Sequence, residues 1–186
     1  MVTKDGGNQF EGSFRSFSGD HNSNDPIFRD LSSYNPLNQR NVEMQLSGPI
    51  LKDKLTFFSS GRYYQTNGWL SGMNTFSMYG DTVTNPDYTP MNGIDKYSLQ
   101  NKLTYFFSPY TRLKLKYITN REQSQGYDHY RQMTQEGRNT NYNRGIFLGI
   151  NISHTFSSIA FMDFNISRHS KKFESYLFED QNDARY

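Results

Sequence analysis

The sequence predicts an all-β chain, an antiparallel up-and-down sheet of about seven strands that forms an incomplete segment of a transmembrane β-barrel. Three observations predict it. The composition is rich in aromatics but poor in aliphatics, apolar and polar residues alternate with period two, and short connections alternate strictly with long ones.

Of 186 residues, 34% are hydrophobic and 16% aromatic, and the mean hydropathy is −0.86. A dry soluble core needs more Leu, Ile, Val and Ala than this, whereas disordered chains lack aromatics. Two-faced β structure with long polar loops fits both facts. The net charge of +2 is too small to indicate nucleic acid as a partner. With no cysteine there is no disulfide, thiolate metal site or cysteine nucleophile. No run of about 18 apolar residues marks a membrane helix, and residues 1–5 carry no apolar signal region.

Seven segments alternate. In 9–17, Phe10, Gly12 and Phe14 oppose Glu11, Ser13 and Arg15. In 39–47, Val42, Met44 and Leu46 oppose Asn41, Glu43, Gln45 and Ser47. Segment 55–64 carries aromatics on both faces. In 95–106, Tyr97, Leu99, Leu103 and Tyr105 oppose Lys96, Ser98, Gln100, Lys102 and Thr104. In 111–119, Leu113, Leu115 and Tyr117 oppose Arg112, Lys114 and Lys116. Segment 143–156 sets Ile146, Leu148, Ile150 and Ile152 against Gly149, Asn151 and Ser153, and 159–170 sets Met162, Phe164 and Ile166 against Asp163, Asn165 and Ser167.

The connections 48–54, 107–110 and 157–158 are short. Those at 18–38, 65–94 and 120–142 each exceed twenty residues and are filled with Asn, Ser, Gly, Asp and Tyr, a length uncommon inside compact domains. Strict alternation puts every short turn at one end of the sheet and every long loop at the other. Outer-membrane barrels have this sidedness, with short periplasmic turns, long extracellular loops and strands that are apolar outside and polar inside. Gly48-Pro49 is expected to stop the second strand, making 48–54 a periplasmic hairpin turn. Tyr105, Phe106, Phe107 and Tyr110 then fall at the turn end, and Tyr63, Tyr64 and Trp69 at the outer end. A soluble antiparallel sandwich also alternates apolar and polar, but has no reason to gather its long loops at one end.

Two stretches resemble a known family. Residues 2–14, VTKDGGNQFEGSF, resemble the Thr-Lys-x-Gly-x-Asn-x-Phe-x-Gly stretch that leads from the plug into the first barrel strand of TonB-dependent outer-membrane receptors. Residues 46–63, LSGPILKDKLTFFSSGRY, resemble the second strand, turn and third strand of the carboxypeptidase-regulatory-like subgroup. The two motifs cover the first third of the chain, in the family's order. The resemblance implies that residues 1–8 are the end of the plug and 9–186 a partial outer-membrane barrel. It also implies energy-coupled solute uptake, drawing on the inner-membrane proton gradient through the TonB complex acting on a plug. The implied partners are outer-membrane lipid, the receptor's own plug and remaining strands, the TonB complex and a solute that these residues do not identify; the implied location is the outer membrane of a Gram-negative bacterium. The family has about 22 strands, and the closing residues Asn182, Asp183, Arg185 and Tyr186 lack the alternation of a terminal strand. The chain therefore reads as an internal fragment, with Met1 an internal residue or artificial start, unable to transport by itself. A soluble carbohydrate- or protein-binding sandwich and a small non-transporting barrel stand as the alternative functions.

No catalytic constellation can be argued from spacing, so neither an enzyme nor a cofactor is expected. His21, His129, His154 and His169 lack metal-ligand spacing, and Asp128-His129 reads as a loop pair. Asp81, Asn85 and Asp87 lack the glycine of a calcium loop. Gly6-Gly7-Asn8 reads as a turn, because no helix follows it as in a phosphate cradle. The lumen-facing row Lys96, Lys102, Arg112, Lys114 and Lys116 is a basic patch, read either as the ordinary polar interior of a barrel or as a contact for an acidic plug surface or an anionic solute. Trp69, Tyr79, Tyr88, Tyr127, Tyr130 and Tyr142 are the candidate ligand contacts in the extracellular loops, since tyrosine offers contact area at low entropic cost.

Overall fold

A computed structural model describes residues 4–28 and 30–184; expectations for Met1, Val2, Thr3, Arg29, Arg185 and Tyr186 lie outside the described residues. The strands are β1 (Glu11–Gly19), β2 (Gln39–Leu51), β3 (Leu55–Thr66), β4 (Ser71–Met73), β5 (Tyr88–Pro90), β6 (Ile94–Ser108), β7 (Thr111–Ser124), β8 (Thr140–Ser157) and β9 (Ala160–Tyr176). Seven of them form one antiparallel sheet in the order β1-β2-β3-β6-β7-β8-β9, and β4 pairs only with β5 in a small hairpin. Spatial order follows chain order, and the sheet stays open with β1 and β9 at its edges. Among the described residues no second sheet packs on either face as a sandwich would require. Among the described residues no helix is long and apolar enough to cross a membrane.

Register carries the alternation from strand to strand. One row runs Gly48, Phe57, Leu103, Leu115, Ile150, Ile166 across the sheet, and the next row on the opposite face runs Ser47, Phe58, Lys102, Lys116, Gly149, Ser167. Because successive side chains point to opposite faces, in-register pairing gives the sheet one mainly apolar and one mainly polar face.

The two faces are sheltered in the reverse of the soluble order. Among the described residues only Leu31, Phe58 and Met91 are buried apolar side chains, whereas Asn41, Ser47, Thr56, Lys102 and Thr104 on the polar face are buried. Met44, Leu46, Leu103, Leu115, Leu148, Ile150, Phe164 and Ile166 on the apolar face are exposed.

Each short turn is preceded by the same device. The register shifts between Pro49 and Leu51, between Phe106 and Ser108, and between Thr155 and Ser157. The residues bypassed are Ile50, Phe107 and Phe156, all exposed. A bulge bends the strand and re-aims a side chain, and here each leaves a large apolar group beside a turn. His154 sits near the β8–β9 turn on the apolar-face parity, with its ring 4.5 Å from that of Phe156 and its Nδ1 2.7 Å from Thr111 Oγ1.

Two expectations are corrected. Gly48 and Pro49 do not stop β2, which continues to Leu51 and leaves a turn of only 52–54. Beyond Ser47, β2 has no β1 neighbour, and an edge tolerates the N–H that proline lacks. Gly48 is needed for packing, since a Cβ there would lie 2.5 Å from the Phe10 ring. The strands also exceed their alternating cores: β9 runs on through Arg168, His169, Lys171 and Lys172, polar on both faces, because backbone pairing with β8 persists to Thr140↔Tyr176. Tyr142, expected in a loop, accordingly belongs to β8 and stacks on Tyr176 at 4.7 Å.

A single layer with two edges predicts an uneven hydrogen-exchange profile. In the detergent-solubilised chain, amides of β3, β6 and β7 are expected to exchange slowly throughout, and those of β1 and β9 at every second position only. Uniform protection across β9 would contradict an open edge.

Candidate functional site

The polar face is built around a charge problem. Lys102 on β6 stands directly opposite Lys116 on β7, with Lys114 one pair further on opposite Thr104. Like charges facing across strands are destabilising, and Lys102 is only 5% exposed. Asp5 relieves the crowding by bridging two strands: its Oδ1 lies 2.6 Å from Lys102 Nζ and its Oδ2 2.6 Å from Lys114 Nζ. Lys102 Nζ also donates to the Lys4 carbonyl at 2.9 Å. Burial pushes the Asp5 carboxyl up, but hydrogen bonds from Lys102 and Lys114, reinforced by their charges, outweigh it and hold the group below its ordinary value.

The segment carrying Asp5 is fastened at a second point. Asn8 Nδ2 donates to Asp53 Oδ1 at 2.6 Å, and the Asp53 N–H donates to Asn8 Oδ1 at 3.0 Å. Asp53 has φ 59, so the reciprocal pair holds a turn residue in a left-handed conformation that asparagine and aspartate tolerate best. Between the two anchors, Gly6 lies so close to β3 that a Cβ would sit 2.2 Å from the Phe57 carbonyl oxygen. Gly6-Gly7-Asn8, read from sequence as a turn, is thus a strap laid on the sheet.

The expected basic patch divides into three. Lys102 and Lys114 hold Asp5. Lys116 lies near them with its Nζ 6.0 Å from the centre of the Phe147 ring, beside a hollow of about 370 Å³ that Asn151, Asn165 and Ser167 also line. Lys96 is six residues from Lys102, about 20 Å along the strand, and pairs with Glu122 at 2.9 Å. Arg112 lies at the turn end, beside Ser153 and Asp163.

At the opposite end the long connections form a joined cap. Arg138 is 5% exposed; its Nη1 donates to the Met91 carbonyl at 2.6 Å and the Gly126 carbonyl at 3.2 Å, and its Nη2 to the Pro90 carbonyl at 3.2 Å. Gln135 Nε2 donates to the Gly72 carbonyl at 2.5 Å, and the Phe76 N–H to the Met133 carbonyl at 3.0 Å. Residues 67–93 and 125–139 are therefore one body. Burial pushes the Arg138 pKa down, partly opposed by the Asp128 charge. Residues 20–38 join through Asn38, whose carbonyl accepts from the Asn67 N–H at 3.0 Å, and through Phe28, edge-on to Trp69 at 5.9 Å.

Of the six loop aromatics singled out from sequence, Trp69 and Tyr127 share one pocket at this cap. Tyr79 and Tyr88 are exposed elsewhere on the cap, Tyr130 is 97% exposed, and Tyr142 is in β8. Asp128 caps a single turn of 3-10 helix through the Tyr130 N–H, and His129 Nδ1 lies 2.9 Å from the Tyr127 hydroxyl. Among the described residues no group of three or more His, Asp or Glu could hold a metal ion.

Sequence reading missed Asp5, Arg138, Gln135 and Met91. Asp5 had a signal, being the acidic residue of a Gly-rich segment ahead of strands that carry a row of lysines; the other three had none. No protein-family profile, curated protein or solved structure matches the chain.

The Asp5 clamp has a definite pH sense. A carboxyl whose folded-state pKa is lowered contributes stability that is complete above the unfolded value of about 3.9 and lost as pH falls through the lowered one. A spin label on Gly7→Cys, a position with open space around it, is expected to be immobilised at pH 7 and freed only below about pH 4. Asp5→Asn should free it at every pH. A label that stays immobilised in Asp5→Asn would show that the strap does not depend on the clamp.

Proposed function

We propose that this chain forms the first strands of the barrel of a TonB-dependent outer-membrane receptor, which takes up a solute across the outer membrane of a Gram-negative bacterium. The observation that carries the reading is the inverted shelter of the sheet. An apolar face exposed across seven strands, with a polar face behind it that is sheltered on β2, β3 and β6, is stable where hydrocarbon rather than water meets the apolar side. The bulged Ile50, Phe107 and Phe156, with Tyr110, Ile159 and Phe161, supply the large apolar side chains that gather at a membrane interface.

In this reading residues 4–8 are the exit from a plug, and the clamp of Lys102 and Lys114 on Asp5 anchors that exit to the barrel wall. Lys102 and Lys114 of the basic row thus serve the plug, while the joined loops face outward and meet the solute. Uptake itself is assigned to the whole receptor, with its plug, remaining strands and the TonB complex as partners. The motifs at 2–14 and 46–63 support the family assignment independently of the fold.

Topology and facing test this reading. In the full-length receptor on intact cells, cysteines replacing Thr84 and Glu136 are expected to react with an impermeant reagent, and one replacing Lys52 is not; labelling at Lys52 alone would reverse the orientation. Leu115→Arg and Leu148→Arg should each cost about 2–4 kcal/mol near the bilayer midplane. Ser167→Arg, on the polar face, should leave refolding into a bilayer nearly unchanged. Equal losses from the two faces would reject the membrane reading.

A further inference from the structure

The three long connections enclose a pocket of about 300 Å³ that the solute-uptake reading leaves without an occupant. Phe28 comes from residues 20–38, Trp69 and Met73 from 67–93, and Tyr127 and Met133 from 125–139. Of all residues in the chain 20% are charged, yet among the described residues no charged side chain lines this pocket. A solute carrying charge would lose its water there without gaining a counter-charge, which is costly. The walls instead offer ring faces and edges, with thioethers that adapt to irregular shapes and contact aromatic rings favourably. Ser71, Thr75 and Gln132 add hydroxyl and amide groups able to hydrogen-bond a few polar substituents.

Size narrows the class. An apolar cavity of about 150 Å³ holds one benzene, so this pocket accepts about two rings, or one ring with substituents. The pocket is held in shape by the Arg138 clasp behind it, since buried Met91 both lines the pocket and accepts through its carbonyl from Arg138 Nη1. A prearranged pocket does not have to order its loops on binding, and that cost is otherwise large.

We infer that the pocket formed by Phe28, Trp69, Tyr127 and Met133 binds an uncharged, ring-bearing solute or the uncharged ring group of a larger one. The inference rests on the loops being the solute-facing end, as proposed above. It names the chemistry that end selects: flat and neutral, with anions and cations excluded.

Trp69 is the only tryptophan of the chain, so 5-fluorotryptophan gives one ¹⁹F resonance inside the pocket. In the detergent-refolded 186-residue chain, phenyl-β-glucoside should shift that resonance and saturate. Methyl-β-glucoside, which keeps the sugar but lacks the aromatic ring, and benzoate and benzylammonium, which carry charge, should bind at least tenfold more weakly. Tyr127→Ala should weaken phenyl-β-glucoside at least tenfold, and Tyr130→Ala, outside the pocket, should leave it unchanged. Met133→Lys should weaken phenyl-β-glucoside and strengthen benzoate, a reversal that mere loosening of the loops cannot produce. No saturable shift with phenyl-β-glucoside, or equal binding of methyl-β-glucoside or benzoate by the unaltered chain, would overturn the inference. Such a failure leaves the membrane reading untouched, because topology is read from Lys52, Thr84 and Glu136 without any ring compound.

Discussion

A sheet one layer thick must satisfy its backbone inside the layer and hide two unlike faces outside it. That constraint governs this molecule. The ladder from β1 to β9 satisfies the strand interiors, so that what remains is the choice of surroundings for each face. The polar face is covered in part by the chain's own strap at residues 4–8, and on the apolar face Phe10 lies over Gly48 and Phe57 while most of the field stays open. Burying apolar area contributes roughly 25 cal/mol per Å², a contribution that Leu103, Leu115, Leu148, Ile150 and Ile166 forgo by standing in one exposed field. The chain's low aliphatic content follows from the same constraint, since only every second strand position needs to be apolar and no interior volume has to be filled.

The strap shows how charge replaces packing on the sheltered face. Lys102 could not remain 5% exposed opposite another lysine without a carboxylate, because an unpaired buried charge costs far more than a surface one. Asp5 neutralises two lysines on different strands and so ties β6 to β7 as well as the strap to the sheet. Asn8 and Asp53 make the second tie to the β2–β3 turn, joining the start of the described chain to its first hairpin. Gly6 between the anchors fits the same logic, since a strap lying directly on backbone leaves no room for a side chain there.

Alternation made the strands legible, because period two is a property of each strand's own residues. All seven large strands, their order and the end-to-end asymmetry of the connections could be read this way. Strand ends could not: β9 persists past Ile166 through residues that are polar on both faces, held by β8 rather than by any local preference. The bulges at Ile50, Phe107 and Phe156 were equally hidden, as a bypassed residue depends on the partner strand's register. The lysine row was legible as a row, but its division depended on which strap residue reached it. The loop cap was least legible, since Arg138, Gln135 and Met91 act through carbonyls of residues about 50 to 60 positions away, and a polar loop gives no periodicity to announce such a partner.

The cap is held by an arginine rather than by an apolar cluster, and the composition explains why. Loops built from Asn, Ser, Gly and Tyr have many backbone carbonyls and few aliphatic side chains, so cohesion has to come from a donor that serves several carbonyls at once. A guanidinium provides five N–H groups in a planar fork, and Arg138 spends four of its bonds on Met91, Gly126, Pro90 and Gln125. Removing it would leave the buried Met91 carbonyl unpaired, a penalty of about 1–3 kcal/mol, and would loosen residues 67–93 from 125–139. The clasp therefore does for the loops what the Asp5 clamp does for the strap. In both places a single charged side chain holds together segments distant in sequence, leaving the sheet between them to the backbone ladder.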